Sequence, residues 1–533
     1  MLQVATKSRM TSIHPYDFQT AVLMDGWRET LSWPIGLETT FPIGDRKLTG
    51  LAEIIRDTTD LDLRDVLVLA GTRVFVYGLP LIDMALTLQA AEAVGQKFAS
   101  SFPELDFLRG DITLDELPAR DHVAPLEDVR LVFLRRAKRM KLWTSWQQMP
   151  MTLVKPHATA LSVNSLLQET AKSGPERIGF FHDEALLGAA MGHGKPQGNV
   201  ALAEHATKIM CEHMIGDIDL PKDRHQRLRS LVAIKASGLF EHAVHALTAV
   251  KNFRGIPDRI WAASGGRWPG RVLSIEAMRR GSEVIRFDHA GGRGVHRFPA
   301  WPATLDMYCS TTFNLATQPL AERLKAQGVN DLLPPDRQCQ LQGQNGDPTF
   351  KHLNLSRSSP HTDRRRVIYA SGLLRGLLQT VPAQIPDLVY LDWQIRLAET
   401  LNQLPIDLVC KPHPEGIFAH QTHPLTSIAK VHSGPFEELI PSADVFVLDI
   451  PHSTTFYEAL CTDRPIVFVD FGAPFFDTAI RAAIESRCRV IRTKFDDRNR
   501  PIIDQEALED AVISGADVVD PTEFQALLMG APR

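Results

Sequence analysis

The sequence predicts an α/β protein built as two lobes around a cleft. Three observations carry that expectation. From Arg366 onward, short β-rich apolar runs alternate with helical patterns, as in a parallel, doubly wound sheet. A strand–helix–strand pattern also recurs upstream, over Arg259–Phe287. Between the two lies 332–365, rich in Pro, Gln, Asn, Gly, Ser and Arg and without periodicity, which reads as a linker.

In the N-terminal part, Arg64–Ala70 and Leu81–Val94 read as a first strand–helix pair. Arg177–Phe181 with Ala185–Met191 reads as a second, and Arg259–Ala263, Gly270–Arg280 and Glu283–Phe287 as strand, helix and strand. After the linker come the strand Val367–Ser371, the helix Leu388–Leu404, the strand Ile406–Cys410 and a short strand near Ile428–Val431. The helix Phe436–Ser442, the strand Asp444–Leu448, the helix Thr455–Cys461, the strand Pro465–Asp470 and the helix Gln505–Ile513 complete the series. The expected division is an N-terminal lobe over 1–331, with 1–165 as a separable elaboration, and a C-terminal lobe over 366–533.

Composition bounds the function. With 533 residues the chain is too long for one ordinary core, and 44% hydrophobic with 23% charged residues is usual for a globular protein. A net charge of −5 offers no global attraction to nucleic acid. The cysteines Cys211, Cys309, Cys339, Cys410, Cys461 and Cys488 lack CxxC spacing, so reduced thiols are expected rather than a zinc site or disulfide framework. The start of the chain has no apolar signal-like core, and the most apolar stretch, Val66–Leu88, is broken by Arg73, Gly78, Pro80 and Asp83. A cytoplasmic protein, or one resting on the inner face of a membrane, is expected.

Candidate site residues fall where strands should end. In open α/β sheets, ligands bind beyond the carboxyl ends of the strands. Lys411-Pro412-His413-Pro414 follows one strand, and its prolines hold the histidine in a fixed, non-helical turn. Ser453-Thr454-Thr455 starts a helix after the next long strand, giving hydroxyls and free amides suited to a phosphate. Ser371-Gly372 ends the first strand of this lobe, and Glu458, one turn into the helix, is placed to accept from a ribose or to serve as a solvated first-turn acid. Upstream, Asp288-His289-Ala290-Gly291-Gly292 follows a strand, with an aspartate and an imidazole suited to general-base work. Asp183 and Glu184 follow another strand end and remain alternatives for base or nucleophile, or plain helix-start acids. A basic stretch within 130–155, carrying Trp143 and Trp146, suits anionic lipid headgroups or is a solvated basic helix.

Lys411-Pro412-His413-Pro414, Ser453-Thr454-Thr455, Glu458-Ala459-Leu460 and Arg464–Asp470 resemble the donor half of GT-B glycosyltransferases of bacterial surface-polysaccharide assembly. These are the capsule and lipopolysaccharide Kdo transferases, the bacterial sialyltransferases and the CDP-glycerol polymerases. The resemblance implies a GT-B fold of two Rossmann-like lobes and a nucleotide-sugar donor, CMP-linked, as substrate. It assigns the nucleotide phosphate to His413, Ser453 and Thr454; no DxD-type metal site lies beside these motifs, so neither a metal nor a cofactor is expected. A glycan or lipid-linked acceptor is the implied partner, and nucleic acid is not. Asp288-His289-Ala290 is similar to the Gln-His-Gly loop of that group, with Asp and Ala as departures. The base stays open among His289, Asp288, Asp183 and Glu184. A CDP-polyol phosphotransferase and a non-catalytic assembly scaffold are the alternative readings.

Overall fold

A computed structural model describes residues 11–21, 24–118, 157–192, 198–264, 267–289, 291–356, 364–376, 385–515 and 518–530. The basic stretch 130–155 lies outside them.

Two six-stranded sheets, parallel throughout, form the cores of two lobes. The N-lobe strands are β1 (Ala158–Ala160), β2 (Ile178–Phe180), β3 (Arg259–Ala263), β4 (Glu283–Phe287), β5 (Thr312–Leu315) and β6 (Gln340–Gly343), in the order β2-β1-β3-β4-β5-β6. The C-lobe strands are β7 (Arg366–Ala370), β8 (Asp407–Lys411), β9 (Lys430–Val431), β10 (Val445–Leu448), β11 (Ile466–Asp470) and β12 (Arg489–Arg492). Their order, β9-β8-β7-β10-β11-β12, is that of a dinucleotide-binding sheet. Its direction of winding reverses between β7 and β10, which opens a crevice beyond their carboxyl ends. The four residues of β10, Val-Phe-Val-Leu, are all buried, because helices cover both faces of a parallel sheet.

The N lobe carries a helical layer: α1 (Gly36–Asp57), α2 (Leu61–Ala93), α3 (Val200–Ile215) and α4 (Lys222–Lys251) pack on one another. Helix α5 (Trp268–Arg279) links β3 to β4. The C lobe is covered by α6 (Asp387–Asn402) and α7 (Thr454–Leu460), and α8 (Thr522–Leu528) ends the described chain.

Two expectations are corrected. Arg64–Ala70 is not a strand; it and the expected helix Leu81–Val94 belong to the single helix α2, capped by Asp60 accepting the Leu63 N–H at 2.9 Å. Short buried apolar runs do not show which they are by periodicity. This helix is long and apolar enough to cross a membrane, but 83% of its apolar window is buried inside the protein.

The stretch expected as a linker is mostly N lobe. Gln340–Gly343 pairs with β5 along the sheet edge, and the fully buried Arg464 holds the carbonyls of Leu355 and Ser356 at 2.7 Å. Its polar composition reflects an edge strand, wet on one side, rather than a free connector.

The lobes also exchange segments. Helix α8 spans the junction, its Leu527 carbonyl accepting from Thr317 at 2.6 Å in the N lobe while Gln525 donates to Cys461 of the C lobe at 2.8 Å. Near the start of the chain, Arg28 pairs with Glu399 at 3.0 Å and Asp392 at 3.1 Å, and Trp33 donates to the Arg498 carbonyl at 3.0 Å. Residues 24–35 thereby strap the N lobe to the C lobe. All six cysteines are buried and unpaired.

Candidate functional site

A cleft of about 500 Å³ lies between the lobes, at the carboxyl ends of both sheets. Of the sequence-predicted residues, His289, Gly372, His413, Ser453, Thr454 and Thr455 line it. Among its described lining residues there is no Asp or Glu, but there are two arginines, Arg293 and Arg375, and four histidines. Walls without acid that carry two guanidinium groups favour anions over cations.

The C-lobe wall is built on a buried network at the β7/β10 crevice. Asp449, one residue past β10, is 1% exposed and accepts from Tyr369 at 2.8 Å, Tyr390 at 2.7 Å and Trp393 at 2.9 Å. Burial pushes its carboxyl up to about 6 against those three hydrogen bonds. The Tyr390 hydroxyl in turn accepts the Gly372 N–H at 2.6 Å. A Cβ on Gly372 would come within 2.4 Å of Ile450, so the loop after β7 can lie against the loop after β10 only as glycine. Ser371, buried beside it, is tied by its N–H to the Lys411 carbonyl at 3.1 Å and does not line the cleft.

Ser453 caps α7, its hydroxyl accepting the Phe456 N–H at 3.1 Å. The N–H groups of Thr454 and Thr455, at the first positions of the helix, have no intrahelical acceptor and stand at the cleft. In His413, Nδ1 accepts the Glu415 N–H at 3.1 Å, so the neutral ring carries its proton on Nε2 and presents a donor. Burial lowers its pKa, with Lys411 and Arg375 adding to the effect and Glu415 opposing it.

The same turn occurs at two other His-Pro steps. His14 accepts the Tyr16 N–H at 3.3 Å and His423 the Leu425 N–H at 3.2 Å, both rings being buried. The His-Pro pattern is thus a turn device, and His413 differs by opening on the cleft.

Lys411 and Glu458 lie behind this wall, 7% and 4% exposed, and neither lines the cleft. Burial pushes the Glu458 carboxyl up to about 8, Glu437 adds to the shift, and Lys411 opposes it. The Lys411 ammonium donates to the Pro412 carbonyl at 3.0 Å. Pro414 is exposed outside the lining.

On the N-lobe wall, His289 is reachable by solvent, yet the surrounding protein mass lowers its pKa by desolvation, with Arg293 assisting. Asp288 points away from the cleft and is 1% exposed. Neither of its carboxylate oxygens has a well-formed hydrogen bond, and Arg293 stands 3.8 Å off. Burial pushes this carboxyl up to about 7, against Arg293 and the His289 amide. The glycines after it lie tightly against protein as well as along the cleft: a Cβ on Gly292 would meet the His296 ring at 2.9 Å. Asp183 and Glu184 stand apart from the cleft lining; Arg267 donates to Glu184 at 2.7 Å and lies 3.7 Å from Asp183, which burial raises.

Sequence reasoning missed Arg293, His296, Arg375 and Tyr457 as site groups. His296, whose pKa burial lowers to about 4, meets the Tyr457 hydroxyl at 2.6 Å across the lobes. This ties the loop after β4 to the helix that starts at Ser453. A signal was present, since Arg293 and Arg375 sit just past strand ends in loops poor in acids.

Fold and site define a two-lobed α/β protein of GT-B type, with a cleft at the switch point of its C lobe. No family model matches the chain, and no curated protein does. Among solved structures it is similar to Acinetobacter baumannii MurG, at 11% identity over 74% of this chain and 89% of that chain, with a TM-score of 0.31. It is also similar to the wall teichoic acid polymerase TagF, at 11% identity over 64% of this chain and 77% of that one, with a TM-score of 0.27. Similarities of this size settle no chemistry, and the fold class rests on the two sheets themselves.

Proposed function

We propose that the protein is a GT-B glycosyltransferase moving a sugar from a CMP-linked, Kdo- or sialic-acid-like donor onto a surface glycan or lipid-linked acceptor. The observation that carries this reading is the cleft at the β7/β10 switch point, free of acids among its described lining residues, with the His413 Nε2–H and the capped start of α7 on one wall and His289 on the other. In this scheme the nucleotide phosphate sits against the Thr454 and Thr455 amides, His413 and Arg375. Charge grows on that phosphate as the sugar–oxygen bond breaks, and donors fixed in advance stabilise it without reorganising. The helix start and basic side chains fill the role that a metal plays elsewhere.

The acceptor hydroxyl attacks the anomeric carbon and gives its proton to His289. Its lowered pKa keeps the ring neutral and able to accept near pH 7. Asp288 stands behind it, in the strand-end position but out of the cleft. Closure of the lobes would exclude water and align the partners.

A calorimetric screen of CMP, CDP, UDP and GDP tests the donor assignment. CMP should bind tightest and lose affinity in His413→Ala; preference for UDP, or indifference to the substitution, refutes it. Product analysis tests the reaction class. Sugar transfer leaves the phosphate on released CMP, whereas a polyol phosphotransferase would place it in the acceptor product. Nucleotide binding without turnover would point to a scaffold.

A further inference from the structure

Arg293 has no part in that scheme, yet among the described lining residues it is the one arginine on the N-lobe wall of the cleft. It lies on the loop after β4, just beyond His289. Its neighbour Gly292 faces α7, where a Cβ would come 3.4 Å from the Tyr457 hydroxyl. The Arg293 charge is felt in both lobes: it helps to lower the pKa of His289 and opposes the burial that raises that of Tyr457. The guanidinium therefore stands where the loop carrying the candidate base meets the helix whose start is assigned to the phosphate.

Its own partners leave it charge to spare. The side chain is 15% exposed, and Nη2 donates to Asp306 at 3.3 Å. Nε lies 3.8 Å from Asp288 and has no acceptor, and none among the described residues takes Nη1. Asp306 is shared, because the buried Arg286 stands 3.7 Å from its other oxygen. Asp288 keeps its proton up to about pH 7. Below that pH two guanidinium groups face one ionised carboxylate, and of the pair only Arg293 opens on the cleft. A partly desolvated guanidinium with unspent N–H groups is completed by an oxyanion, and a carboxylate matches its fork.

A sugar hung from a phosphate at the start of α7 lies between that helix and His289 on the facing wall. In a 2-keto sugar acid the anomeric carbon itself carries the carboxylate, beside both the phosphate and the bond that breaks. A neutral sugar offers a guanidinium only hydroxyls.

We propose that Arg293 is the specificity-determining residue of the donor site, taking the carboxylate of the transferred sugar and so selecting sugar acids over neutral sugars. This assignment rests on the CMP-donor reading and adds the group that reads the sugar.

The test is titration calorimetry of the full chain with CMP, CMP-N-acetylneuraminate and CMP-Kdo. In wild type at least one of the two CMP-sugars should bind about ten-fold or more tighter than CMP. The ratio of CMP-sugar to CMP affinity should fall about ten-fold in Arg293→Gln, where a charged fork becomes a neutral amide. Arg293→Lys, which keeps the charge without the fork, should lose several-fold. The C1 methyl ester of the tighter CMP-sugar keeps the sugar and removes its charge, so wild type should bind it little better than CMP. If Arg293→Gln does not fold, as judged by circular dichroism, Arg293→Lys and the ester decide. A ratio that the variants leave intact, an ester bound as tightly as the acid, or CMP-sugars no tighter than CMP overturns the assignment while leaving the CMP-donor reading in place. Wild type that binds none of the three ligands sinks that reading, and this assignment with it.

Discussion

Replacing His413 by alanine separates a ligand contact from a structural turn, because the protein supplies its own control. Three His-Pro turns share one geometry, and only the setting of the ring differs. At His413 the substitution removes the Nε2–H donor facing the cleft. A hydrogen bond to a charged group contributes about 1.5–3 kcal/mol. Calorimetry should therefore find CMP bound about ten- to a hundred-fold more weakly. Stability should change by less than about 0.5 kcal/mol, since the released Glu415 amide lies at an exposed position open to water. At His423 the same change strands the Leu425 N–H and removes a ring packed 4.8 Å from Phe418, in a buried place. That should cost about 1–3 kcal/mol in urea unfolding and leave CMP affinity within about two-fold. If His413→Ala binds CMP like wild type, or if both variants lose stability alike and neither loses affinity, then His413 is a turn residue only.

Three further outcomes are expected. Tyr390→Phe strands the Gly372 N–H and removes one of three donors from Asp449, so it should destabilise by about 2–3 kcal/mol in denaturant unfolding and weaken CMP binding by loosening the β7 loop. Asp288 holds its proton up to about pH 7 in the folded state and releases it near 3.9 when unfolded. The folded protein thus binds the extra proton between those values, and stability falls as pH rises through that window, by about 4 kcal/mol at most. Asp288→Asn should lack this part of the slope when unfolding is compared at about pH 5 and about pH 8; parallel slopes refute the buried-acid reading. Arg28→Ala cuts the strap to Glu399 and Asp392, and since Asp392 keeps Arg396 at 2.8 Å, the loss should be near 1 kcal/mol. Limited proteolysis should then cleave within residues 24–35 faster than in wild type.

Much of the C lobe was legible in the chain. The middles of β7, β8, β10 and β11 are short apolar runs, and a parallel strand covered on both faces writes that pattern directly. His413 and Ser453–Thr455 were legible for the same reason: they follow such runs, and strand ends are where ligands sit. Helix α2 was misread because burial all round removes the amphipathic period that marks a helix. The edge strand β6 looked like a linker because its residues alternate between water and neighbour.

The sequence by itself determined the alternation of strands and helices, the two-lobed class and the residues at the strand ends, since each depends on neighbours a few positions away. Tertiary structure alone decided which of those residues share a space. It turned His289 into the cleft and Asp288 away from it, and withdrew Asp183 and Glu184 to Arg267. It also joined His296 to Tyr457, 161 positions apart, and set Arg73 against Trp268. Burial and charge pairing fix those choices, and both are set by segments far apart in the chain that meet only in the folded protein.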